Sequence, residues 1–145
     1  MRDKLIQKMH DFLLRNYPEI MVPLQQKGEV TKYLTERIDS FGDLPEVLLQ
    51  EGKPIHIVEE ICLKALEQEL GPSKFNYLVS VLLEEFEKEY YRWLGSGILT
   101  FEVINLIEDC TPYFEALAFG EGNDDNKRLR YAIIGTIQEY LINKQ

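Results

Sequence analysis

The sequence predicts an all-α protein, a single compact bundle of six or seven helices spanning residues 1–145 as one domain. Three observations predict it. Apolar residues recur at i, i+3, i+4 and i+7 along most of the chain. No segment alternates apolar and polar residues with period two over strand length. The composition, 45% hydrophobic and 28% charged, is that of a globular chain. At this length a single domain buries roughly 70% of the surface its unfolded form exposes, so no metal or disulfide staple is required.

The elements follow in order. Leu5, Met9, Phe12 and Leu13 give a first helix over residues 3–16, stopped by Asn16 and Pro18 because the residue before a proline avoids the α region. Pro23 can start a second helix running to about Ser40, with Val30, Leu34, Ile38 and Phe41 on one face; Gly28 weakens it by about 1 kcal/mol. Gly42 interrupts, and Asp43 with Pro45 opens a short segment to about Gln50, ended by Gly52. Ile57, Val58, Ile61, Cys62, Ala65, Leu66 and Leu70 mark a third long helix from Pro54, closed by Gly71 and Pro72. Ser73 can cap the next, in which Phe75, Leu78, Val79, Leu82, Leu83, Phe86 and Tyr90 keep helical spacing for more than four turns. Gly95-Ser96-Gly97 reads as a turn. Thr100 and Glu102 open a fifth helix that Pro112 ends or kinks, leaving Tyr113 to Ala118 as a further turn or two. Residues 120–126 form a loop, and Leu129, Ile133, Ile137, Tyr140 and Leu141 mark a last helix to about Asn143.

Charge narrows the function. Sixteen basic against 25 acidic residues leave a net charge of −9, which argues against direct nucleic-acid binding, since that requires clustered Lys and Arg. The imbalance is local. Residues 1–40 hold 6 acidic against 7 basic, residues 41–126 hold 18 against 5, and residues 127–145 hold 1 against 4. The longest apolar runs are four or five residues, far short of the roughly 20 needed to span a bilayer, and the Met1 end reads without a secretory leader. Cys62 and Cys110 lack Cys-x-x-Cys spacing and read as buried thiols in a reducing cytoplasm.

Several blocks together resemble a known family. Gly52, Glu59-Glu60-Ile61, Leu66 and Leu70, then Ser73-Lys74-Phe75, Leu78 and Glu85-Phe86 are similar to the small helical bacterial proteins grouped as domain-of-unknown-function family 1896. Tyr17-Pro18-Glu19 resembles its break after the first helix, Cys110 and Phe114 its penultimate helix, and Gly135-Thr136-Ile137 with Tyr140-Leu141 its closing segment. The likeness covers most of the chain and is loose between Ile20 and Leu44. It implies a compact multihelical fold and genes often carried on conjugative mobile elements; it implies no activity and supplies no catalytic or binding residues.

Candidate chemistry is sparse. His56, Glu59 and Glu60 could share a metal one helical turn apart, but a di-iron bundle needs Glu-x-x-His twice, and the order here is reversed and single. Glu121, Asn123, Asp124, Asp125 and Asn126 supply oxygens without EF-hand spacing and read as a capping loop. Neither cysteine has a neighbouring His, and no Gly-x-Ser-x-Gly elbow or phosphate loop is present, so no enzyme, cofactor or metal is expected.

Two surface features remain. Glu84, Glu85, Glu87 and Glu89, beside Tyr91 and Trp93, are candidate partner-binding residues; the ordinary alternative is a solvated face with packed aromatics. Lys127, Arg128 and Arg130, in the opening turns of the last helix, are candidate anion-binding residues, with Asp124 and Asp125 as local neutralisers. Gly135 amid Ile133, Ile134 and Ile137 marks a close helix approach, within the chain or in a homo-oligomer. The expectation is a non-enzymatic cytoplasmic module that binds a protein partner, away from membranes and linked to a mobile element. The alternatives are an acidic mimic of DNA that inhibits a DNA-binding protein, and a metal-dependent hydrolase.

Overall fold

The computed structural model describes residues 2–117, 119–120 and 126–144, and among these no strand occurs and nine helices do. The all-α class expected from the 3.6-residue periodicity holds. The helix number exceeds six or seven because the chain breaks twice where the apolar pattern runs on.

The residues fall into two compact units, Met1–Gly71 and Pro72–Gln145. The first contains α1 (Arg2–Asn16), α2 (Pro18–Lys27), α3 (Val30–Ser40), α4 (Leu44–Gln50) and α5 (Ile55–Leu70). Helix α1 packs on α2, α3 and α5, with Leu5, Met9 and Leu13 wholly buried in the same cluster as Val58, Cys62 and Leu66 of α5. Pro18 acts as a start as well as a stop: at the first helical position its missing N–H removes no bond, so α2 begins there and carries Pro23 inside it. Gly28 then ends α2 rather than merely weakening a longer helix. Its φ of +70° is the left-handed cap that a residue with a Cβ adopts only under strain, and its N–H bonds the Gln25 carbonyl. The Tyr17 hydroxyl donates to the Gly71 carbonyl, fastening the α1–α2 junction to the end of α5.

The second unit contains α6 (Lys74–Glu85), α7 (Glu87–Ser96), α8 (Leu99–Ala116) and α9 (Lys127–Asn143). Helix α8 packs against the other three. Its Val103, Leu106, Cys110 and Phe114 share a buried cluster with Leu78 and Leu82 of α6, and with Leu129, Ile133 and Ile137 of α9. The sequence expectation of a single core thus resolves into two clusters, one in each unit.

The long helix expected from Ser73 to Tyr90 is interrupted at Phe86 (φ −137°, ψ 49°). No glycine or proline marks the spot. The break moves Glu87 and Glu89 into the first turn of a new helix, where the macrodipole favours carboxylates, and keeps Phe86 and Tyr90 packed on the core. Ser73 caps α6 as expected, its Oγ accepting from the Asn76 N–H at 3.0 Å. Pro112 neither ends α8 nor separates Tyr113 from it; the helix runs on to Ala116. Asn126 caps α9, accepting from the Arg128 and Leu129 N–H groups and donating to the Leu117 carbonyl.

Candidate functional site

The predicted acidic face and the predicted basic cluster meet each other. Arg130, on the second turn of α9, donates from Nη2 to Glu84 Oε2 at 2.7 Å and to Glu85 Oε1 at 3.3 Å, at the C-terminal end of α6. Two carboxylates at that end oppose the helix dipole, and one guanidinium offsets both. Arg130 is therefore committed within its own unit, and of the proposed anion-binding trio only Lys127 and Arg128 are exposed without an ion pair among the described residues. Glu121, Asn123, Asp124 and Asp125 lie outside the described residues.

Trp93 belongs to the core, not to the surface. It is 2% exposed, and its indole meets the Tyr140 ring edge-on with centroids 6.3 Å apart. The periodicity held the signal, because Phe86, Tyr90 and Trp93 are spaced i, i+4, i+7 and share the inward face. Tyr91 is 55% exposed and is joined at the α7–α8 corner by Leu94 at 50%, Ile98 at 40% and Phe101 at 58%. These last three were not singled out by their sequence, since isolated apolar residues at a turn carry no pattern of their own. The corner is formed by Gly97, whose neighbour Ile98 returns its N–H to the Trp93 carbonyl and so holds α7 and α8 in a tight turn.

Beside the corner lies a buried carboxylate. Glu102, 7% exposed, accepts from the Tyr140 hydroxyl at 3.0 Å, and both its oxygens lie 2.6 Å from Lys144 Nζ. Hydrogen bonding to Glu102 holds the Lys144 ammonium above its usual pKa, and burial raises the Tyr140 phenol. Farther along α8 and α9, Asp109, Tyr113, Thr136, Glu139, Tyr140 and Asn143 line a cleft of about 240 Å³.

The candidate metal ligands do not assemble among the described residues. His56 and Glu60 are exposed while Glu59 is buried, its Oε2 without a hydrogen-bond partner among the described residues. No group of three His, Cys, Asp or Glu side chains among the described residues is placed to hold a metal. Burial pushes both thiols up, Cys110 to about 12 with Asp109 adding to the effect, so at neutral pH each is the protonated, weakly nucleophilic form. No helix among the described residues is long and apolar enough to cross a membrane. No family model matches this chain, and neither does any curated protein or solved structure.

Proposed function

We propose that the protein is a non-enzymatic, cytoplasmic interaction module that binds a protein partner through the α7–α8 corner, in the service of a mobile element. The observation that carries this is the exposure of Tyr91, Leu94, Ile98 and Phe101 across the turn from α7 to α8, each between 40% and 58% exposed. Apolar side chains grouped in this way gain free energy by being covered, at roughly 25 cal/mol per Å² removed from water. The resemblance to family 1896 supplies the link to mobile elements. Trp93 supports the corner from beneath instead of touching the partner, and Glu84 and Glu85, held by Arg130, contribute less to binding than their sequence suggests. The same pairing weakens the case for an acidic imitation of DNA.

The test is capture from the native host with wild type and with a Leu94→Ser, Phe101→Ser double variant. The variant is expected to keep its helical circular dichroism, because neither side chain is buried, and to lose partners that wild type retains. An unchanged set of captured proteins would sink the reading.

A further inference from the structure

The corner continues along α8 into the polar cleft, and that continuity specifies a partner. Phe101, Asn105, Asp109 and Tyr113 lie four residues apart on one helix, so they form an outward row about 18 Å long, and all four are exposed. Asn105 Nδ2 lies 3.4 Å from the Tyr140 hydroxyl, joining the row to α9. Beyond it, Asp109 and Tyr113 line the cleft together with Glu139, Tyr140, Thr136 and Asn143.

The lining is suited to a cation. Asp109 and Glu139 are acceptors with no ion pair among the described residues, and two tyrosine rings accompany them. Lys144 displays the same chemistry one step away, its ammonium 5.4 Å from the centroid of the Tyr140 ring while bound to Glu102. A free amine would fill the cleft and leave the apolar corner bare. A helix presenting apolar residues on one stripe and a Lys or Arg two to three turns along it would cover both.

We propose, resting on the reading of the corner as a docking face, that its partner is a basic amphipathic helix: apolar side chains seat on Leu94, Ile98 and Phe101, and one cationic side chain enters the cleft between Asp109 and Glu139. Complementary charge across such a groove raises the encounter rate and fixes register.

The probes are three fluorescent peptides of about 18 residues, long enough to hold a helix: an amphipathic Leu/Lys helix, its Leu/Glu counterpart and a scramble of the first. Anisotropy titrations of the full chain should show the Leu/Lys helix binding at least about tenfold more tightly than either control. The Asp109→Asn, Glu139→Gln variant should lose most of that preference, and its dependence on salt should flatten. Equal binding of all three peptides, or an unchanged preference in the cleft variant, would overturn the proposal. Neither result would touch the docking reading, which fails only if the Leu94→Ser, Phe101→Ser variant captures every partner that wild type does.

Discussion

Tyr91 and Trp93 stand two positions apart, and two positions on an α-helix is a rotation of about 200°, enough to send one ring to water and the other to the core. The exposures, 55% and 2%, follow from that rotation. Trp93→Ala is expected to cost about 3–5 kcal/mol, by the area lost and the cavity left among α7, α8 and α9, whereas Tyr91→Ala should change stability by about 0.5 kcal/mol or less. Urea titration of the two variants measures the contrast, and comparable losses would mean that Trp93 is not a core residue. Arg130 teaches a different lesson at the same scale. Its partners lie 45 and 46 positions earlier in the chain. No local pattern could have announced that pairing, so a basic cluster and an acidic face looked like two free surfaces when Arg130 of the first is joined to Glu84 and Glu85 of the second.

At the scale of elements, the helix ends were more legible than the helix breaks. Gly71 before Pro72 marked the end of α5, and the structure gives Gly71 a φ of +82° with ψ 177°, a conformation essentially confined to glycine. Gly28 adopts φ +70° and ψ 27°, the left-handed helical region, which other residues enter at a cost of about 1 kcal/mol. A Cβ at either position meets nothing within 4 Å, so only the backbone conformation separates them. Gly71→Ala should therefore destabilise by more than Gly28→Ala, by about 1 kcal/mol or more, as read from paired thermal melts; equal losses would contradict the assigned backbone. Phe86 shows where such reasoning fails. The stripe Leu82, Phe86, Tyr90 passes through the break without interruption, because the core asks only that those side chains face inward, and two short helices satisfy that as well as one long one.

Across the whole molecule, each unit buries one acid raised to about 12; Tyr33 and Cys62 in the first and Tyr140 in the second are raised as well. Burial lifts the Tyr17 hydroxyl from 10.0 to about 12, with Glu67 and Glu19 adding to the effect, and burial lifts the Cys110 thiol from 9.0 to about 12. Both groups are held protonated in the folded state and ionise more readily in the unfolded one. Their contribution is thus present in full below the unfolded values and is lost as pH rises towards 12. Denaturation midpoints should stay level near pH 8 and fall between pH 9 and 12, and Tyr17→Phe should flatten part of that decline. A midpoint that rises over this range would reverse the sign of the argument.

The sequence by itself determined the all-α class, most helix ends and the inward stripes, because each depends on neighbours within about two turns, and 3.6-residue periodicity records them directly. Tertiary structure alone decided that the apolar residues divide into two clusters, that Arg130 closes on Glu84 and Glu85, that Glu102 is buried beneath Tyr140 and Lys144, and that Leu94, Ile98 and Phe101 stand uncovered beside an acidic cleft. Those features join residues far apart in the chain, and burial or charge pairing at such separations is set by how helices pack, which a one-dimensional pattern does not encode.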